Sequence, residues 1–159
     1  MNKLFVMDVD GTLTDGKIYI SETGELFKAF NVKDGYGISN ILPSNGYIPI
    51  IITGRNSYIL EQRCKELGIT TIIQNCKDKK KCLLDIATKF EIHLNKSGIL
   101  PGVAYIGDDI PDYEGMIISE TKACPADAVE EIKEIADYVC KRKAGDGAVR
   151  EFIEWLVKK

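Results

Sequence analysis

Long apolar runs are missing from this sequence. No stretch approaches the ~20 residues that a membrane-spanning helix needs. The N-terminal MNKLFVMDVD carries only a short apolar stretch that runs straight into acids, which is not the pattern of a secretory signal. A surplus of one charge is missing too. The 21 basic and 24 acidic residues leave a net charge of −3, so there is no electrostatic footprint for nucleic acid or for an anionic membrane. Cysteine is sparse and unpatterned: Cys64, Cys76, Cys82, Cys124 and Cys140 are odd in number and contain no CxxC pair. They read as scattered thiols of a reducing cytoplasm, neither a disulfide framework nor a zinc site. Low-complexity segments, linkers and internal repeats are also absent.

What remains is an ordinary globular composition, 45% hydrophobic and 28% charged over 159 residues. That length suits a single domain spanning 1–159, able to bury roughly 70% of its unfolded surface. Short apolar runs alternate with helical patterns. Residues 3–9, 47–52, 70–73, 103–107 and 137–140 read as buried strands. Helical spacing puts Ile59, Leu60, Cys64 and Leu67 on one face of 56–67. It does the same for Cys82, Leu83, Ile86, Ala87 and Phe90 in 78–91, and for Val149, Phe152, Ile153, Leu156 and Val157 in 147–158. The expected fold is α/β: a Rossmann-like parallel sheet with helices on both faces. One segment breaks the rhythm. Residues 17–30 hold two β-rich runs around Glu22-Thr23-Gly24-Glu25, a hairpin where a crossover helix would stand.

In an open α/β sheet, ligands bind beyond the carboxyl ends of the strands. The first strand ends in Asp8-Val9-Asp10-Gly11-Thr12, the strand at 47–52 in Thr53-Gly54-Arg55, and the strand at 103–107 in Gly107-Asp108-Asp109 with Asp112 following. A lysine-rich helix start, 77–81, lies between the last two. Converging carboxylates suit a hard divalent cation such as Mg²⁺, which also favours phosphate. A threonine hydroxyl and an ammonium suit a phosphoryl group, whose transfer depends on positioning and charge. One carboxylate can be a nucleophile and a second a general acid and base. Each motif alone has a bland reading: turn chemistry for TG and GDD, a solvated helix face for the lysines. Their ordered appearance at successive strand and helix ends is what points to one site.

DVDGTLTDG, ITGR, the lysine near 79 and GDDIPD resemble the four ordered motifs of the haloacid dehalogenase superfamily of phosphohydrolases. Across essentially the whole chain, including ACPADA and GDGAVREFIEWL, the resemblance is to its small, capless 3-deoxy-D-manno-octulosonate 8-phosphate (KDO 8-phosphate) phosphatases and their nonulosonate 9-phosphate relatives. The resemblance implies Asp8 as nucleophile and Asp10 as general acid and base. It implies Mg²⁺ held by Asp8, the Asp10 carbonyl and Asp108, and phosphate held by Thr53, Gly54 and Lys79, with Lys80 the competing lysine. It further implies Arg55 and Lys33 on the sugar acid, Asp109 and Asp112 as auxiliary acids, a homotetramer assembled through the hairpins, and a cytoplasmic place in lipopolysaccharide synthesis. Without a cap, the hairpin and a glycine-containing loop at 141–149, read as a mobile lid, are the segments left to wall the site. Three other readings stay open here: a nine-carbon 9-phosphate substrate, an inactive phosphatase-like domain, and a response-regulator receiver. The last differs in placing its acceptor aspartate on a later strand.

Overall fold

The order of the strands decides where a ligand can sit. The structure, a computed structural model, describes residues 2–159. Strand β1 (Lys3–Met7) lies between β4 (Tyr47–Ile52) and β6 (Leu100–Ile106) and pairs in parallel with both. Beyond β4 lies β5 (Thr71–Ile73); beyond β6 lie β7 (Ser119–Cys124) and β8 (Tyr138–Val139). The chain therefore winds outward from β1 on one side, returns, and winds outward on the other. A crevice opens at such a reversal, here at the carboxyl end of β1.

The apolar runs are continuous because both faces of the sheet are covered. Leu4 and Val6 join Ile50, Ile52, Val103 and Tyr105 in one core layer. Phe5 and Met7 join Ile51, Ala104 and Ile106 in the other. This is the two-residue period of a strand read across three neighbours. The first layer is closed by α4 (Lys79–Lys89), α5 (Ile110–Ile117) and α6 (Glu130–Ile135) through Leu83, Ile86, Met116 and Ile132. The second is closed by α3 (Tyr58–Leu67) and α7 (Ala148–Leu156) through Leu60, Cys64, Phe152 and Ile153. It is completed by a helical stretch formed of α1 (Val32–Tyr36), a π-helical turn (Gly37–Ile41) and α2 (Leu42–Ser44), which contributes Ile38 and Leu42. Pro49 is tolerated in β4 because β5 pairs only with Ile50–Ile52, so no ladder there needs its missing N–H.

The hairpin is present as β2 (Tyr19–Ser21) and β3 (Gly24–Phe27), a separate two-stranded sheet between β1 and α1. Ile18, Ile20, Leu26 and Phe27 are exposed on it. The first strand is shorter than the sequence suggests: it stops at Met7, although the Asp8 N–H still donates to Ile106 O at 3.2 Å. Among the described residues, no helix is long and apolar enough to cross a membrane.

Candidate active site

Each strand end releases its chain into a loop that turns a polar side chain toward the crevice. After β1, the N–H groups of Thr12, Leu13 and Thr14 all return to Val9 O. The turn this makes depends on Gly11. Its φ is +88°, and a Cβ there would lie 2.1 Å from Asp108 Oδ2, so a side chain would be strained and would collide with the acid at the end of β6. After β6, Asp109 caps α5, and the Asp112 carboxylate reaches back to the Asp109 N–H, which makes GDDIPD a capping box. Gly107 is needed beneath it, since a Cβ there would lie 2.4 Å from Asp112 Cγ. After β5, Asp78 caps α4 by accepting from the Lys81 N–H at 2.9 Å, which fixes Lys79 as the first helical residue.

These loops bring Asp8, Asp10, Thr53, Gly54, Arg55, Lys79, Asp108 and Asp109 to one open cleft of about 340 Å³. Thr53 is buried, and Arg55 stands half exposed at the rim with Nε 3.8 Å from Asp10 Oδ2. The run of lysines resolves by geometry. Lys79 is buried and its Nζ lies 2.9 Å from Asp8 Oδ1 and 2.7 Å from Asp112 Oδ1. Lys80 instead pairs with Glu114 on the surface. Asp112 is fully buried and its oxygens are taken: Oδ1 by Lys79 and the Tyr105 hydroxyl, Oδ2 by the Asp108 and Asp109 N–H groups. It holds the site up from beneath.

Three carboxylates crowd this floor. One oxygen each of Asp8, Asp108 and Asp112 lies within 4.8 Å of the others. Burial, then the neighbouring Asp8 and Asp112, push the Asp108 carboxyl up to about 8, against the hydrogen bond from Thr12. Burial and Asp112 push Asp8 up to about 6, against the pull of Lys79. Crowded carboxylates held this way are relieved by a divalent cation. Asp8 and Asp108, whose oxygens are not saturated by protein donors, fit such an ion.

The alignment with known proteins gives this geometry a family. No family model matches the chain. It is 42% identical over 156 residues to the KDO 8-phosphate phosphatase of Escherichia coli K12, covering 98% of this chain and 79% of the relative. Against the crystal structure of the Moraxella catarrhalis KDO 8-phosphate phosphatase with a magnesium ion, a phosphate ion and KDO, the TM-score is 0.90 at 40% identity, covering 99% of this chain and 86% of the other. Against the cobalt-bound enzyme of Haemophilus influenzae it is 0.89 at 30% identity, covering 99% and 82%. The chain belongs to the KDO 8-phosphate phosphatase family. That family sits in the haloacid dehalogenase superfamily and consists of phosphoric monoester hydrolases.

Not every residue expected of a KDO 8-phosphate phosphatase site reaches the cleft. Lys33, in the first turn of α1, lines a separate surface cleft with Arg142, Arg150 and Glu154, so within one chain it is remote from Asp8. The loop expected to be a mobile lid is fastened. Lys141 and Arg142 N–H groups donate to the Glu151 carboxylate, Ala144 N–H to Asp127, and Gly145 N–H to Thr12 O. The cysteines also need correcting. Cys76, at the cleft wall, is joined to Cys82 in the first turn of α4 by a disulfide that brackets Lys79, and Cys64, Cys124 and Cys140 are free and buried.

Several site residues escape a reading by motif. Thr12 donates to Asp108 Oδ1 at 2.9 Å. Lys28, just past β3, places Nζ 2.6 Å from Asp10 Oδ1 and 3.0 Å from Glu25 Oε1. Glu25 in turn accepts from the Ser57 hydroxyl. Nothing in the local sequence singles them out: segment 17–30 also carries Lys17 and Glu22, so Glu25 and Lys28 do not stand apart.

Proposed function

We propose that this chain is a Mg²⁺-dependent phosphatase that hydrolyses KDO 8-phosphate through an aspartyl-phosphate on Asp8. What carries the reading is the convergence of Asp8, Asp10, Asp108 and Lys79 in one cleft of a chain that is 40% identical to an enzyme solved with magnesium, phosphate and KDO. Asp8 and Asp108, with the Asp10 carbonyl, would hold the cation. When bound it supplies charge neutralisation that lets an anionic nucleophile approach an anionic phosphate.

In the first half-reaction, an Asp8 oxygen forms a bond to phosphorus while the bond from phosphorus to the sugar oxygen breaks. The Asp10 carboxyl gives its proton to that leaving oxygen. Lys79 and Thr53 hold the phosphoryl oxygens, positioning that accounts for most of catalysis in phosphoryl transfer. In the second half-reaction, Asp10 takes a proton from water, the water oxygen bonds to phosphorus, and the bond to Asp8 breaks. Inorganic phosphate leaves and both aspartates return to their starting states. Arg55, half exposed at the rim, is free to meet a sugar carboxylate.

The whole chain, 1–159, acts as one domain in this reading. Its exposed Ile20, Leu26 and Phe27 form a face that pairs with other copies into a homotetramer. Such pairing would also bring a neighbour's cationic groups, Lys33 among them, to a site its own chain does not supply. The protein then works in the cytoplasm, where Cys76 and Cys82 would be held as a reduced pair of thiols.

The test is phosphate release from a panel: KDO 8-phosphate, a nonulosonate 9-phosphate and simple esters, compared by kcat/KM with and without Mg²⁺. The expected result is preference for the octulosonate and silence in EDTA. Preference for the nine-carbon ester would move the substrate, and activity without any divalent cation would overturn the reading. A monomer in sedimentation with full activity would remove the tetramer.

A further inference from the structure

The hairpin is more than an apolar surface, because its base reaches into the cleft. Lys28 follows β3 directly, and its side chain is only 4% exposed. A buried ammonium is costly unless it is paired, and this one is paired twice. Its Nζ lies 2.6 Å from Asp10 Oδ1 and 3.0 Å from Glu25 Oε1. Glu25 is anchored on its other oxygen by the hydroxyl of Ser57, the residue that caps α3. The chain of contacts runs from the start of α3, through the hairpin, to the second aspartate of the β1 loop. Arg55 also faces Asp10, but from 3.8 Å and with a side chain 49% exposed, so it is free to turn toward a ligand. Lys28 is not: burial and two carboxylates fix where its ammonium stands.

We propose that Lys28 is a positioning residue that holds the Asp10 carboxyl group at the leaving oxygen, with Glu25 and Ser57 holding Lys28. The proposal rests on the reading of Asp10 as general acid. Its geometry turns Glu25 and Lys28 toward the cleft while Ile18, Ile20, Leu26 and Phe27 stay exposed. A general acid works only within hydrogen-bond reach of the atom it protonates, and Asp10 stands on a loop where Lys28 is its close ionic partner, Arg55 lying farther off at 3.8 Å.

The test uses the proton demand of the leaving group. An alkyl phosphate such as the sugar-acid ester expels a basic alkoxide and needs the acid; 2,4-dinitrophenyl phosphate expels a stable phenolate and does not. The quantity compared is kcat/KM, which reports only steps through the first irreversible one and so isolates transfer to Asp8. Lys28→Met should lower kcat/KM for the alkyl ester by about 10–100-fold, part of the 10²–10⁴ that a general acid supplies, and for the dinitrophenyl ester by less than about threefold. Lys28→Arg should recover part of the loss. Equal loss on both esters would mark Lys28 as structural or phosphate-binding and overturn the proposal, as would no loss on either. Should Lys28→Met not fold, Glu25→Gln, which unties the ammonium from the hairpin, carries the same comparison with the same outcomes. A wild-type protein that cleaves neither ester would instead overturn the proposed function, so the two failures are distinguishable.

Discussion

Replacing Lys79 by methionine removes the only cation bonded to the buried floor of the cleft among the described residues, and the cost can be worked out. Lys79 Nζ stands 2.9 Å from Asp8 and 2.7 Å from Asp112. Each contact is worth roughly 5–6 kcal/mol gross at an effective dielectric constant of about 20, but burial of the three charges offsets most of that. Removing one partner of a buried pair costs about 3–5 kcal/mol, because the other is left uncompensated. Proton uptake limits the damage. Neutralising a carboxyl of ordinary pKa near 3.9 at pH 7 costs about 4 kcal/mol, and Asp8 already sits at about 6 through burial and Asp112. The expected loss for metal-free Lys79→Met at pH 7 is therefore about 3–4 kcal/mol, equivalent to roughly 6–16 °C in Tm for a domain of this size.

The pH dependence has a definite sign. Without Lys79 the folded-state pKa of the carboxyl rises further above its unfolded value. Stability is then retained at low pH and lost as pH rises, so the gap to wild type should narrow to about 1–2 kcal/mol at pH 5. Urea denaturation in EDTA at both pH values, with m-values compared, measures it. A gap under about 1 kcal/mol at pH 7, or one that does not narrow at pH 5, would refute this electrostatic account of the floor.

Other perturbations probe different parts of the molecule. Asp8→Asn should lower kcat by more than about 10⁴-fold while circular dichroism and Tm stay near wild type; retention of a few per cent of activity would exclude the covalent route. Mg²⁺ affinity should rise with pH up to about 8, where Asp108 gives up its proton, by up to about tenfold per unit per proton displaced. Calorimetry in two buffers of different ionisation enthalpy reads the proton release, and an affinity flat from pH 6 to 8 would contradict it. Asp34 is buried with Oδ1 accepting from the Arg150 N–H at 2.8 Å and Oδ2 unpartnered, and burial raises it to about 6. Its folded pKa exceeds the unfolded value, so stability is lost as pH rises from about 4 to 6. Asp34→Asn should flatten that decline by about 3 kcal/mol, and an unchanged slope would contradict it.

What the sequence disclosed, and what it hid, follows from the physics of each element. Residues 47–52 read as a strand and are one to the residue, because a strand covered on both faces must be apolar throughout. Strand β7, Ser119–Cys124, was not legible: SETKAC opens with four consecutive polar residues, of which Ser119 and Thr121 are nonetheless buried. The Ser119 hydroxyl satisfies itself on Gly115 O at 2.9 Å, a pairing that only the folded chain supplies. α5 was hidden by Pro111 and Gly115, and α6 by its six-residue length. Asp8, Asp10, Thr53, Lys79 and Asp108 were legible because their motifs fall at strand and helix ends, where the topology converges. Lys28 and Thr12 act across 18 and 96 residues of chain, and nothing local marks such a contact. The Cys76–Cys82 pair has no CxxC spacing to announce it, since the two meet only once α4 starts between them.

The covalent step on Asp8 is the centre of this account, and trapping it is the direct test. In Asp10→Asn the acid needed for an alkoxide and the base needed for water are both gone, while transfer from 2,4-dinitrophenyl phosphate needs neither. Mixing this variant with that ester and Mg²⁺, quenching in acid and mapping the peptide Leu4–Lys17 should find close to one phosphoryl group per chain, on Asp8. Release of dinitrophenolate with no phosphoryl group on the protein, or with the group on another residue, would contradict it.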